Sequence, residues 1–379
     1  MLLINCHLVS PGVEIIGASV RVEAGLIVEI LPSGAAAHAG ETVIDLEGRM
    51  LMPGFIDAHC HGRNNFDFCD ASAEGVAVMA EGKLSEGVTT LLPTTLTLSE
   101  EALAAALAAV AGHDPAHGCR MPAVHLEGPF INPKCIGAQN PDYVRPIDIA
   151  EIDRLNAIYP VRKVTFAVEL PGGAEFTAAL RQRGMVPSCT HSAAKYPEFL
   201  AAYRAGLRCL SHFCNQMTPL HHRDIGLVGA GLLHDEVFVE LICDKLHIAP
   251  EMIALVFKVK GADHVQLISD AMRASGMPDG EYTLGGLPVV VAGGAARLRE
   301  GGALAGSTLQ ISTALKNVAE ITGLPLCEVV KSATSTPATA LGLSGFGRIE
   351  PGYAADFAVL DENFSVCMTI VGGEIRFQR

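Results

Sequence analysis

Eight short apolar runs alternate with helix-like segments through the middle of this 379-residue chain. The runs lie at residues 55–61, 89–96, 123–130, 163–170, 185–191, 208–214, 237–243 and 265–271. Strands that alternate with helices predict a parallel sheet, because neighbouring parallel strands need a long crossover connection. Eight such repeats predict an α/β fold of the (β/α)8, or TIM-type, barrel class.

The segments between the runs predict the helices of this barrel. The expected bounds are Ser72–Ser85, Glu100–Ala111, Ala150–Ile158, Ala174–Gln182, Pro197–Ala205, Ile225–His234 and Pro250–Lys260. A last helix is expected from about Ser307, whose hydroxyl would cap its N-terminus, to about Ile321. The Gly-rich stretch 273–305 predicts an insertion or a lid.

Both ends of the chain carry short β-prone runs separated by Gly, Pro and Ser turns. We therefore expect a small β-sandwich domain built from residues 1–50 and 346–379. It would flank a catalytic barrel domain of residues 51–345.

Composition and charge narrow the classes of partner. Hydrophobic residues make up 49% of the chain and charged residues 18%, which predicts a large core. The net charge of −14 argues against nucleic acid and anionic membranes as partners. No apolar run is long enough to cross a bilayer, and the first residues lack the features of a signal peptide. Eleven cysteines without a CxxC pair indicate free thiols, so we expect a cytoplasmic protein.

Six potential metal ligands follow or end the strand-like runs. They are His59, His61, Glu127, His191, His212 and Asp270. In a barrel of this class the carboxyl ends of all strands converge on one mouth, where residues distant in sequence meet. The common position of these six side chains therefore predicts a metal-dependent hydrolase.

Each candidate also has a structural alternative. His59 and His61 are spaced to face the same side of a strand, where a divalent metal or a hydrogen-bonded histidine pair would satisfy them. Glu127 alone suits a salt bridge, and His191 or His212 alone suits a core position. Taken together, one glutamate and two histidines suit zinc or iron.

Asp270 has the chemistry of a catalytic acid or base. A carboxylate beside a metal-activated water can accept its proton and return it to a leaving group. The alternative is a helix cap or a structural ion pair.

A polar loop after the sixth run carries candidate substrate contacts. Asn215, Gln216 and Arg223 lie there, and His247 follows the seventh run. Arginine can bind phosphate through two parallel hydrogen bonds, although an ordinary solvated loop has a similar composition.

These residues belong to longer matching stretches. PGFIDAHCHG, HLEGPFINPKCIGAQNPDY, THSAA, SHFCNQMTPLHHRD and LISDAMRASG together resemble the N-acetylglucosamine-6-phosphate deacetylases of the amidohydrolase superfamily. The resemblance runs nearly from end to end. It implies hydrolysis of the N-acetyl group of N-acetylglucosamine 6-phosphate to glucosamine 6-phosphate and acetate. It also implies a barrel with a β-sandwich, and a homodimer.

The resemblance also implies roles for single residues. Glu127, His191 and His212 would form the main metal site. His59 and His61 would bind a second metal, so that one or two divalent ions are expected.

Other roles follow from the same resemblance. Asp270 would be the catalytic acid and base. Asn215, His247 and the backbone near Gln216 would contact the sugar, and Arg223 would reach the phosphate across the dimer interface.

Two residues depart from the family's pattern. Gln139 stands where the family usually has a histidine that polarises the amide carbonyl, and Gln216 stands where a small residue is common. They leave other substrates open, namely N-acetylgalactosamine 6-phosphate or an unphosphorylated amino sugar. The alternative that is not an enzyme is a non-catalytic sugar-phosphate sensor on the same scaffold.

Overall fold

The computed structural model describes residues 1–379, and five strands form its first part. They are β1 (Leu2–Ser10), β2 (Val13–Glu23), β3 (Leu26–Leu31), β4 (Val43–Asp45) and β5 (Met50–Pro53). β2 pairs antiparallel with both β1 and β3, while β4 and β5 run parallel to β1. Gly12 and Gly25 reverse the chain in the left-handed backbone region, which glycine adopts without steric cost.

Eight parallel strands form the barrel. They are β6 (Phe55–Cys60), β9 (Val88–Thr95), β10 (Val124–Glu127), β11 (Val161–Phe166), β12 (Val186–Cys189), β13 (Cys209–Leu210), β14 (Phe238–Leu241) and β15 (Val265–Leu267). A two-strand ladder, β7 (Gly62–Arg63) and β8 (Phe66–Asp67), follows the first of them. Each barrel strand pairs with the next, and a parallel bridge between Cys60 and Ala271 joins the two ends of the sheet. The predicted TIM-type barrel is confirmed, and every predicted run overlaps one of its strands, although β9 and β11 begin one and two residues earlier than predicted.

Seven helices connect the barrel strands. They are α1 (Ala73–Leu84), α2 (Glu100–Ala111), α3 (Ile149–Ile158), α4 (Gly173–Gln182), α5 (Tyr196–Arg204), α6 (Gly226–Leu233) and α7 (Pro250–Lys260). All seven lie within one residue of their predicted bounds. The side chains of Ser72, Ser99 and Asp148 cap the first turns of α1, α2 and α3 by accepting backbone N–H groups.

The eighth helix begins later than predicted. α8 spans Ile311–Thr322, so the prediction that Ser307 caps it is wrong. The Ser307 hydroxyl instead donates to Ser269 O at 2.5 Å, and its backbone N–H donates to Asp270 O at 2.7 Å. Ser307 therefore holds the segment that follows β15. Two short helices, α9 (Leu326–Val329) and α10 (Ser335–Leu341), come after α8.

The Gly-rich insertion is an antiparallel sheet beside the barrel mouth. Its strands are β16 (Gly280–Leu284), β17 (Leu287–Ala292) and β18 (Ala295–Leu298). Leu284 and Val289 of the insertion share a small hydrophobic cluster with Leu96 and Met272 of the barrel. This packing fixes the insertion over the mouth.

The last strands return to the N-terminal sheet. β19 (Phe357–Leu360) pairs antiparallel with β5, and β20 (Val366–Val371) and β21 (Glu374–Gln378) extend the sheet. Both ends of the chain thus form one β domain, as predicted, and its eight strands belong to one continuous sheet. This domain has its own cluster of 15 buried hydrophobic residues, apart from a larger cluster of 71 that fills the barrel and also includes Val9, Met52 and Leu360 of the terminal strands. The domain boundaries at residues 50 and 346 stay predictions. None of the helices combines the length and apolar character needed to span a bilayer.

Candidate metal centre

Six buried side chains meet at the carboxyl ends of the barrel strands. They fall into two groups of potential metal ligands, His59 with His61 and Asp270, and Glu127 with His191 and His212. Within each group the ligand atoms lie within 4.8 Å of one another. The structure therefore brings together all six side chains that the sequence selected.

The Glu127 carboxylate lies between the two groups. Its Oε1 is 3.0 Å from His212 Nε2, 3.6 Å from His191 Nε2 and 3.3 Å from His59 Nε2. Its Oε2 is 3.4 Å from His61 Nε2. One carboxylate thus lies close to all four imidazoles, and it could bind a metal ion together with either group.

Hydrogen bonds to the opposite ring nitrogens fix the four imidazoles. The Nδ1 partners are Glu240 Oε2 for His59 (3.2 Å), Thr94 O for His61 (3.1 Å), Cys135 O for His191 (2.8 Å) and Asn215 O for His212 (3.2 Å). Each bond leaves Nε2 directed at the centre. Partners of this kind fix the tautomer and orientation of metal-ligating histidines.

Three of the candidate ligands adopt left-handed backbone conformations. The φ angles are 47° at His191, 28° at His212 and 46° at Asp270. Residues other than glycine rarely adopt this region, and such strain concentrates at functional sites. The backbone turns here because the chain must direct a side chain into the mouth immediately after a strand ends.

The charges at the centre favour a cation. Burial alone would lower the pKa of His59, but the negative charges of Glu127 and Asp270 raise it to about 9. Burial alone would raise the pKa of Glu127, yet the charge of His59 and hydrogen bonds from His191 and His212 hold it well below its usual range. The negative charges that stabilise an imidazolium also stabilise a divalent ion. A proton and a metal ion compete for the same ring nitrogens.

The donor set fits a divalent transition metal. His59 Nε2 is fully buried, points at the carboxylates and has no hydrogen-bond partner. A buried ring nitrogen without a partner is costly unless something binds it. Imidazole nitrogen and carboxylate oxygen are ligands that zinc and iron accept.

A cavity of about 350 Å³ opens above the centre. Four of the predicted substrate contacts line it, namely Gln139, Asn215, Gln216 and His247. Arg223 does not line it. This residue lies on an exposed loop, where its Nη1 is 2.7 Å from His222 Nε2.

His247 is held at the cavity by a neighbouring carboxylate. Asp244 Oδ2 lies 2.7 Å from its Nδ1, and Asp244 Oδ1 accepts its backbone N–H at 2.8 Å. The bond to Asp244 fixes Nδ1 of His247, so the ring can present Nε2 to a ligand.

Sequence reasoning missed two buried charges behind the centre. Glu240 on β14 contacts His59 Nδ1 through Oε2 and Lys163 Nζ on β11 through Oε1. A signal was present for Glu240, the only polar residue of the strand FVEL, whereas Lys163 lies beside Arg162 in the strand VRKVTF. Such residues are almost never fully buried unless they are paired.

Comparison with known proteins places the chain in a family. A profile of the amidohydrolase family matches residues 249–376. The chain is 37% identical to an N-acetylglucosamine-6-phosphate deacetylase of Lysinibacillus sphaericus, over 90% of this chain and 89% of that one. It is 36% identical to an N-acetylgalactosamine-6-phosphate deacetylase of Escherichia coli O157:H7, over 94% and 93% of the two chains.

The fold agrees with these relatives. The crystal structure of N-acetylglucosamine-6-phosphate deacetylase from Thermotoga maritima superimposes with a TM-score of 0.90 at 38% identity, and all of both chains is covered. The chain belongs to the N-acetylglucosamine-6-phosphate deacetylase family of amidohydrolases.

Proposed function

We propose that this enzyme hydrolyses the N-acetyl amide bond of N-acetylglucosamine 6-phosphate, releasing acetate and glucosamine 6-phosphate. The observation that carries the proposal is the Glu127 carboxylate, which lies within 3.6 Å of four imidazoles at the floor of the cavity. Asp270 lies at the same floor, with Oδ1 3.2 Å from His61 Nε2.

Glu127, His191 and His212 would hold the main metal ion, and His59 with His61 would hold a second. Zinc or iron suits these ligands. When bound, a divalent ion supplies Lewis-acid chemistry that activates water and polarises the acyl carbonyl.

Asp270 would act as the acid and base of the reaction. Nearby imidazolium charge opposes the effect of burial and keeps the pKa of Asp270 below the ordinary value, so the carboxylate is ionised, which is the form that a general base needs. It takes the proton of the attacking water and gives it to the departing amine. The tetrahedral centre forms when the water oxygen bonds to the acyl carbon, and the C–N bond breaks as the amine leaves.

The residues at the cavity wall would position the sugar. Asn215 and His247 would contact the sugar hydroxyls, together with the backbone near Gln216. Gln139 would stand beside the acetamide, where it can donate a hydrogen bond but carries no charge. Arg223 would reach the phosphate only from the partner subunit of a homodimer.

N-acetylgalactosamine 6-phosphate is the second candidate substrate. The relatives that carry the two names are 37% and 36% identical to this chain, so overall identity does not favour either sugar. The two sugars differ at one hydroxyl, and a site that hydrogen-bonds a substrate hydroxyl can discriminate strongly against its absence or displacement.

We also propose a cytoplasmic location, since eleven unpaired cysteines suit a reducing compartment. A non-catalytic sugar-phosphate sensor is less consistent with the site, because a sensor needs neither Asp270 nor a full set of ligands.

Acetate release tests the proposed function. The zinc-loaded and iron-loaded enzymes should be assayed on both acetamido sugar 6-phosphates and on unphosphorylated N-acetylglucosamine. We expect the largest kcat/KM for N-acetylglucosamine 6-phosphate. A larger value for the galactose epimer would select the second candidate, and no acetate from any of the three would overturn the proposal.

A further inference from the structure

Arg297 gives the cavity its one permanent positive charge. It lies on β18 of the insertion and is the only lysine or arginine among the 18 residues that line the cavity. The cavity floor holds Glu127 and Asp270, which would repel a phosphate dianion. A phosphorylated substrate therefore needs a cation at the far end of the cavity.

The guanidinium of Arg297 is available to a ligand. Its Nη1 donates to Gly302 O at 2.9 Å, and no carboxylate lies within ion-pair distance. Arg299, two residues away, is paired instead with Glu281 at 2.5 Å. Because arginine has five N–H donors, Arg297 retains a free fork of the kind that binds phosphate oxygens in pairs.

The insertion holds Arg297 at the rim of the cavity. β17 pairs with both β16 and β18, and the buried face of this sheet packs on Leu96 and Met272 of the barrel. Leu284 and Leu304 of the same insertion also line the cavity. The arginine is thus carried by a packed element and not by a free loop.

We propose that Arg297 is a phosphate-binding residue that the same chain supplies, and that it selects 6-phosphorylated sugars. The inference deepens the proposed function and rests on it for the identity of the sugar. It differs from the expected role of Arg223, which lies outside the cavity of its own chain and would act only across a dimer. With Arg297, each subunit would contact the phosphate of the substrate in its own cavity.

Kinetics of Arg297→Ala, with Arg299→Ala as the matched control, test the proposal. The measured quantity is the ratio of kcat/KM for N-acetylglucosamine 6-phosphate to that for N-acetylglucosamine. We expect Arg297→Ala to lower this ratio roughly 10- to 100-fold, because the variant loses hydrogen bonds between a guanidinium and the charged phosphate. Arg297→Lys should recover part of it, since lysine keeps the charge but not the fork. Arg299→Ala should leave the ratio unchanged.

A binding measurement separates this proposal from the proposed function. Calorimetric titration with glucosamine 6-phosphate needs no turnover, and Arg297→Ala should weaken its Kd by a similar factor. If the wild-type enzyme releases no acetate but this weakening is seen, the phosphate contact stands and the proposed reaction fails. If Arg297→Ala keeps both the ratio and the Kd, Arg297 does not bind phosphate. A collapse of the ratio in Arg223→Ala alone would assign the phosphate to the partner subunit and overturn the proposal.

Discussion

Gln139 Nε2 donates a hydrogen bond of 2.6 Å to Glu127 Oε2, and this carboxylate lies between the two groups of the candidate metal centre. The orientation of the amide is fixed, because its Oε1 accepts the backbone N–H of Thr97 at 2.7 Å. Gln139, which stands where the resemblance leads us to expect a histidine, therefore holds a candidate metal ligand in place.

Replacing Gln139 with alanine should weaken metal binding. The variant loses the donor that fixes one oxygen of Glu127, and removing such outer partners costs about 10- to 100-fold in metal affinity. Competition with a chromogenic chelator measures the affinity directly. Asn140→Ala is the control, because Asn140 lies in the same loop but its side chain bonds only to Asp142 N. Equal affinities for Gln139→Ala and the wild type would contradict the role assigned to Gln139.

The pair Glu240 and Lys163 should matter for both stability and metal binding. Both side chains are buried, so Glu240→Gln leaves the Lys163 ammonium without its partner. Breaking a buried pair in this way costs about 3–5 kcal/mol of unfolding free energy. The same change removes the carboxylate that orients His59.

The double variant Lys163→Met with Glu240→Gln separates these effects. It removes the unpaired charge and should recover much of the stability measured by urea unfolding. It should not recover metal binding at His59, since the carboxylate of Glu240 is still missing. Full additivity of the two single variants would mean that the residues do not interact.

Much of this fold could be predicted because strand and helix periods are local properties of the sequence. The bounds of α2 and α7 agree to the residue, since a serine cap precedes Glu100 and Pro250 suits a first helical turn. The start of α8 was missed because Ser307 resembles a cap in sequence. Its hydroxyl bonds to Ser269, and no local pattern indicates that contact.

The convergence of the six candidate ligands could be predicted from the sequence, but the contacts that support them could not. The ligands follow strands, and strand ends meet in any barrel. The bond from Gln139 to Glu127 and the pair of Glu240 with Lys163 depend on distances across the fold. The left-handed backbone at His191 and His212 is likewise imposed by tertiary structure, because local preference disfavours it.

Gly347 should be needed for the junction of the barrel and the terminal β domain. Its φ is +81°, and an added Cβ would lie 2.7 Å from the backbone of Thr334. Gly345 has a similar φ of +77°, but nothing lies within 4 Å of its added Cβ. Alanine at Gly345 should cost about 1–2 kcal/mol from backbone strain alone. Alanine at Gly347 should cost about 1–3 kcal/mol more, because the surrounding backbone must move. Urea unfolding of the two variants measures the difference, and equal losses would show that the close approach does not matter.

Removal of the metal should destabilise the enzyme as well as inactivate it. An ion that binds only the folded chain stabilises it by about 4 kcal/mol when present at a thousand times its Kd. Treatment with a strong chelator should therefore lower the Tm, and added zinc or iron should restore it. Metal analysis of His59→Ala should show one ion fewer than the wild type if two are bound. An unchanged Tm after chelation, with no metal found in the purified protein, would argue against a metal centre.

Asp270→Asn should separate substrate binding from turnover. Asparagine has nearly the same shape and can still accept a hydrogen bond, but it cannot take up the proton of the attacking water. We expect kcat to fall by about 10²–10⁴-fold, the usual contribution of general acid–base catalysis. The Kd for N-acetylglucosamine 6-phosphate, measured by calorimetry, should change little. Metal content must be measured alongside, since Asp270 also belongs to the group of His59 and His61. A variant that keeps its metal and its full kcat would remove Asp270 from the mechanism.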